Sequence, residues 1–364
     1  MGTLVNYIRW RGDISFKQSP FTQIDSVICG QLSYFDIGDA YVPGKRQTVA
    51  EAVNKQIALK GIDSTSLDPE DDAQEFIEAV VASKRFGNAR ILDYIDVFDA
   101  DKDVQFAVLT LRLDDGSTIV AFRGTDDSFA GWREDFMISF TKVESQKMAY
   151  SYLSDFLKMH RNVIVCGHSK GGNLALFSTC YLSDRQLKKV KAIYLNDSPG
   201  LCEDVVSEDR VRRIDKIATM TMPADSIVGR IFEAKLSNKT IVKSKVAGPM
   251  AHSGYAWLIE DNDFVKEDEF SKISDLIHSL LEKFLANADL DRREEIVNNI
   301  FNTVKEAGYE RLGDLKENGF SDLLNVFKSK IGENIASIQP KEMIANTVEE
   351  IKSRVLKSGK KDEE

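Results

Sequence analysis

Residues 163–176 constrain this chain more than any other stretch. Val163, Ile164 and Val165 form a β-branched run of the kind that makes a buried strand. The chain then turns through Gly167-His168-Ser169-Lys170-Gly171, a G-x-S-x-G pattern, and continues from Lys170 in helix-forming residues. Strand, tight turn and helix in that order are the context of a nucleophile elbow, in which the serine hydroxyl stands above the end of a sheet. Gly167 and Gly171 leave room for neighbouring backbone there, and the helix N-terminus behind Ser169 aims free N–H groups and a positive dipole end at any oxyanion formed. The alternative is a plain strand–helix connection in which the serine only caps the helix.

A serine hydroxyl needs a base, an acid that orients the base, and an oxyanion hole. The chain has 4 histidines, so the base is sought by elimination. His160 ends a helix before the elbow strand, and His168 adjoins Ser169 with its side chain expected to project elsewhere. His278 lies in a later amphipathic stretch. His252, in a Gly-rich loop after the last strand signal, falls where the base belongs in the order Ser, acid, His. Two carboxylates follow strand signals between Ser169 and His252: Asp197 in Asn-Asp-Ser-Pro-Gly and Asp225 in Pro-Ala-Asp-Ser-Ile-Val. Asp225 is the expected acid. It follows the strand nearer His252 in sequence, and Asp197 looks already employed in its own turn. The hole would take the backbone N–H of Lys170 and one from the loop after the 118–122 strand, at Gly124-Thr125. Arg123 reads as an ion pair that pins this loop, Trp132 as core packing and Asp135 as a salt link.

Around this site the chain reads as follows. Helices are expected over 21–37, 47–59 and 70–86, then strands at 91–98, 104–113 and 118–122, with Asp114-Asp115-Gly116-Ser117 as a hairpin turn. Strands at 163–166, 191–195 and 217–222 alternate with helices near 144–160 and 172–183, which implies a parallel, helix-covered region. A further strand is expected at 240–246. Strand signals end near 262. Apolar stripes follow at Phe270–Phe284, Ile296–Val304, Leu323–Phe327 and Met343–Val355. The expected division is a 1–262 domain, a helical region over 263–357 set apart from the catalytic machinery, and a 358–364 tail without structure.

Composition narrows the function. A net charge of −10 and a pI of about 5.2 argue against nucleic acid and anionic lipid as main partners. Cys29, Cys166, Cys180 and Cys202 show no metal or disulfide spacing and read as buried free thiols. No cofactor or metal is expected. There is no signal-peptide pattern and no run of about 20 apolar residues, so the expected location is cytoplasmic. Oligomeric state is not legible in the sequence.

The motifs together resemble known proteins. Residues AFRGT followed by W-x-x-D, GHSKGG, D-S-I-V and H-x-x-Y at His252 and Tyr255 resemble the class 3 lipase pattern of the α/β-hydrolase superfamily. More closely, IDSVICGQLSYFD, QFAVLTLRL, AFRGTDDSFAGWREDF and GHSKGGNLA resemble the Mbeg1-like family, over roughly residues 21–260. The resemblance implies an α/β-hydrolase fold: a mixed sheet flanked by helices. It also implies Ser169 as nucleophile, Asp225 as acid, His252 as base and Thr125 as hole donor, and an esterase or lipase-like activity on a small-molecule or lipid ester. A catalytically silent scaffold and an acyltransferase are the alternatives. Lys170 beside the serine and the charged 126–148 segment, where lipases carry an apolar lid, point to short or medium acyl chains.

Overall fold

The pattern of burial along the strands dictates the architecture. In the elbow strand Val163 and Val165 face one core cluster while Ile164 and Cys166 face another. In the strand beside it Val120 and Phe122 face the first, and Ile119 and Ala121 the second. Such strands must be covered on both faces. The computed structural model shows how, and it describes residues 1–62, 70–99, 104–125 and 137–272, with 274, 275, 278, 279, 282, 289–293 and 295 beyond.

Eight strands form one sheet in the order of the chain. They are β1 (Gln47–Thr48), β2 (Arg90–Asp99), β3 (Val104–Arg112), β4 (Thr118–Phe122), β5 (Val163–His168), β6 (Val190–Asn196), β7 (Ala218–Pro223) and β8 (Lys239–Val242). β1 to β4 pair antiparallel, and β4 to β8 pair parallel. Two short strands, β9 (Ile259–Glu260) and β10 (Asp263–Phe264), pair separately.

The helices, in chain order, are α1 (Leu4–Arg11), α2 (Gln23–Leu32), α3 (Val49–Lys60), α4 (Glu70–Ala82), α5 (Lys84–Gly87), α6 (Glu144–Met159), α7 (Lys170–Tyr181), α8 (Asp184–Leu187) and α9 (Glu208–Ile214). Because each parallel strand is added on the same side of the last, right-handed crossovers bring their helices to one face. Leu153 and Leu157 of α6, Leu174 and Leu176 of α7, and Val211 and Ile214 of α9 fill that face. The opposite face is left to the chain before the sheet. There Leu4 and Ile8 of α1, Ile24 and Ile28 of α2, Val53 of α3 and Phe76 of α4 cover Leu109, Leu111 and Ile164.

Local chemistry sets the helix ends. Thr22 and Asp25 make a reciprocal capping box at α2, with Thr22 N–H donating to Asp25 Oδ2 at 2.8 Å. The stretch expected as one helix over 70–86 is broken at Ser83, whose hydroxyl accepts from the N–H groups of Phe86 and Gly87 and starts α5. Helices α1 and α9 have no counterpart among the elements expected from sequence. All four cysteines are buried and free. Burial pushes the thiols of Cys29 and Cys166 up and that of Cys180 to about 12.

Among the described residues, no helix is long and apolar enough to cross a membrane. Phe270 packs on the first core cluster. The stripes expected at 296–304, 323–327 and 343–355 and the 358–364 tail lie outside the described residues, as do Trp132 and Asp135.

Candidate active site

Ser169 stands between β5 and α7 with φ 57° and ψ −130°, a conformation that costs a non-glycine residue on the order of 1–3 kcal/mol. The flanking glycines make the turn possible. A Cβ on Gly167 would stand 2.2 Å from the carbonyl carbon of Gly171, and one on Gly171 would stand 2.1 Å from the carbonyl oxygen of Phe122. The first turn of α7 is therefore pressed against the end of β4. The His168 carbonyl lies against Gly124 of the loop that also carries buried Thr125, where a Cβ added to Gly124 would stand 2.8 Å from that oxygen. Arg123 at the root of that loop is held by Asp96 of β2 through two bonds, of 2.6 and 2.8 Å. The Lys170 side chain is 1% exposed, so its charge is not presented on the surface beside the serine.

Ser169 also donates its backbone N–H to Asn196 O at 3.0 Å. The next residue, Asp197, is thereby delivered from the end of β6, one strand away from the nucleophile strand. Asp197 is fully buried at φ 42°. Its Oδ2 lies 2.6 Å from His252 Nδ1. Its Oδ1 accepts from the Ser226 hydroxyl and from Gly229 N–H at 3.2 Å.

This pairing corrects the expectation for Asp225. The carboxylate that meets His252 is that of Asp197, while Asp225 sits half-buried in the turn after β7. Nearness in sequence misled because the loop after β8 does not stay at its own edge of the sheet. It folds back as one-turn 3-10 helices, Gly248–His252 and Gly254–Ala256, until the His252 carbonyl meets the His168 ring at 2.8 Å. Within D-S-I-V it is Ser226, and not Asp225, that reaches the acid. The expectation that Asp197 is occupied by its own turn fails for the same reason, since both its oxygens face other segments. A sequence signal for this carboxylate existed: Asp197 directly follows β6, the first strand after α7.

His168 has a structural part that its neighbourhood to Ser169 did not suggest. Its ring is 1% exposed. Burial, and secondarily the charge of His252, lowers its pKa to about 3. The ring is therefore neutral. A carbonyl can only accept, so Nε2–H donates to His252 O, and Nδ1 accepts from the Tyr34 hydroxyl at 3.2 Å. The two histidine rings lie 4.6 Å apart between centroids. His160 is stacked on Phe156, and His278 bonds the Arg230 carbonyl. Among the described residues, no group of three or more His, Cys, Asp and Glu could hold a metal ion.

An eight-stranded mixed sheet, helices on both faces and a strained serine between strand and helix define an α/β-hydrolase-like fold. Within it the family is shown by comparison. A model of the Mbeg1-like family matches residues 80–302, more than half of the chain, and the chain belongs to that family. Among solved structures, the M37 lipase is similar to it at 16% identity, over 58% of this chain and 70% of that chain, with a TM-score of 0.39. No curated protein matches.

Proposed function

We propose that this protein is a serine hydrolase acting on a carboxylic ester, with Ser169 as nucleophile, His252 as base and Asp197 as orienting acid. The observation that carries the reading is the 2.6 Å bond from His252 to a buried Asp197, beside a serine held at positive φ. With Nδ1–H committed to the carboxylate, the lone pair of the imidazole is on Nε2. The Ser169 hydroxyl attacks the ester carbonyl carbon and its proton passes to Nε2. The tetrahedral oxyanion lies toward the N–H groups of Lys170 and Thr125. Collapse expels the alcohol, which takes the proton from the imidazolium, and leaves an acyl group on Ser169. Water, deprotonated by His252, then releases the acid. Ester cleavage, acyl-enzyme and hole donors all belong to this proposal. The short or medium acyl chain does too, now without the support of a surface charge at Lys170.

The test is covalent. Native protein treated with a fluorophosphonate should gain one phosphonyl group, mapped by mass spectrometry to Ser169. Ser169→Ala should gain none. Native protein that takes no label, or Ser169→Ala that labels equally, ends the hydrolase reading.

A further inference from the structure

The Asp197 carboxylate depends on a loop that is held from two sides. Residues 224–230 supply Asp197 with the Ser226 hydroxyl and the Gly229 N–H. Their own backbone bonds are turn bonds, Ser226 N–H to Pro223 O and Arg230 N–H to Ile227 O, plus one from Ala224 N–H to Val242 O. These shape the loop locally and tie its first residue to β8. Its far side is seated by Val228, buried in the first core cluster, and by the bond from Gly200 N–H to Ile231 O at 2.8 Å.

Its outer side, at Ala224, Ser226 and Arg230, is held from beyond the last strand. Ser271 N–H donates to Ala224 O at 2.8 Å. The hydroxyl of Ser274, itself 1% exposed, donates to Ser226 O at 2.5 Å. His278 Nδ1–H donates to Arg230 O at 3.0 Å. The Arg230 guanidinium pairs with Asp275 at 3.1 Å and lies 4.0 Å over the Phe270 ring. Ser226 is thus bonded on one side to the acid, through its hydroxyl, and on the other to Ser274, through its carbonyl.

We propose that Ser274 and Asp275 are positioning residues for the acid: with Phe270, Ser271 and His278 they latch the 224–230 loop and so fix Asp197 in line with His252. The proposal rests on the catalytic roles given above. It also replaces the expectation that the chain after 262 stands apart from the site. Ser274 touches no reacting atom; it acts through Ser226 on Asp197. A misplacement of about 1 Å by a remote change can cost on the order of a hundredfold in rate.

The experiment measures the rate of Ser169 labelling by a fluorophosphonate in full-length Ser274→Ala and Asp275→Ala, each checked by circular dichroism. Both are repeated in an Asp197→Asn background. Labelling should slow by about ten- to a hundredfold in Ser274→Ala and less in Asp275→Ala. Neither should lose more than about twofold further once Asp197 is gone, since residues that act through one another are not additive. The low-field proton resonance of the His252 Nδ1–H, assigned by its loss in Asp197→Asn, should shift or broaden in both latch variants. Folded variants that label at the wild-type rate with an unmoved resonance overturn the proposal, as does an equal loss with and without Asp197. If Ser274→Ala fails to fold, half-exposed Asp275 carries the test. If wild type itself takes no label, the hydrolase reading falls, and the resonance alone decides whether the latch holds Asp197.

Discussion

A neutral imidazole, fully enclosed, sits one residue before the nucleophile, and its protonation state has a measurable consequence. His168 titrates near its ordinary value in the unfolded chain and at about 3 in the folded one. Between those values the unfolded state binds the proton and the native state does not, so this residue's contribution to stability is complete at neutral pH and is lost as pH falls through the window. The slope approaches about 1.4 kcal/mol per pH unit for one such group. Urea unfolding at pH 7, 6 and 5 should show a shallower loss in His168→Gln than in wild type; equal slopes would refute the assignment. The acid assignment is tested at the same scale. Asp197→Asn should lower turnover by as much as about 10⁴-fold in a folded protein, the cost of the wrong imidazole tautomer in serine proteases. Asp225→Asn should leave turnover near wild type. The elbow was legible in the sequence because its strand, glycines and helix are contiguous. The pairing of Asp197 with His252 is not legible in the sequence, because the histidine arrives from a loop that folds back toward β6, a step that local pattern does not encode. The roles of Tyr34 and Ser226 depend on contacts 134 and 29 residues apart, and no single stretch carries a trace of them.

Among the elements, α7 joins Ser169 to the segment after Asp197. Asn173, on the second turn of this helix, donates to Pro199 O and Gly200 O at 3.1 Å each and accepts from Gln146 of α6 at 2.9 Å. One amide thus ties two helices and the segment after Asp197. Asn173→Ala takes the amide donor from Gly200 O, leaves Pro199 O with only the Ser198 hydroxyl and leaves a Gln146 N–H without its acceptor, and a buried group so stranded costs about 1–3 kcal/mol. Denaturant titration should therefore show a loss of about 3 kcal/mol, with a drop in labelling rate at Ser169. A loss below half a kcal/mol would mean the network is dispensable. The strands were readable because β-branched runs and an Asp-Gly turn stand in plain alternation. The break at Ser83 was not, since the run from 70 to 86 keeps one amphipathic pattern and only the hydroxyl's choice of backbone partners divides it.

For the molecule as a whole, the decisive arrangement is that every crossover helix lies on one face. The other face is sealed by α1 to α4 and locked by Arg85, whose guanidinium is bonded to Asp25 at 2.6 and 2.8 Å and to the carbonyls of Ile14, Ser19 and Pro20. Arg85→Ala would strand a buried carboxylate, a change that costs about 3–5 kcal/mol in comparable pairs. Thermal melting should show it, and an unchanged midpoint would contradict the lock. The same arrangement says that the described residues of the segment matched by the family, 80–302, leave this face of the sheet largely to the chain before them. A chain beginning at residue 80 should aggregate where the full chain stays in solution. Recovery of a soluble monomer would show that α1 to α4 are dispensable.

One small bridge sets a clock on the ribosome. Gly2 exchanges both backbone bonds with Ile259, each at 2.8 Å. The residues around Gly2 therefore wait for Ile259 to be made before this bridge can close. At about 5–20 residues per second of synthesis, that delay is on the order of ten seconds to a minute, during which α1 can pack on α4 but not on the Gly254–Ala256 turn that it also meets. A force profile of stalled chains should place its main pulling event after residue 264 has cleared the tunnel, and an event near residue 170 would mean that the first half closes on its own.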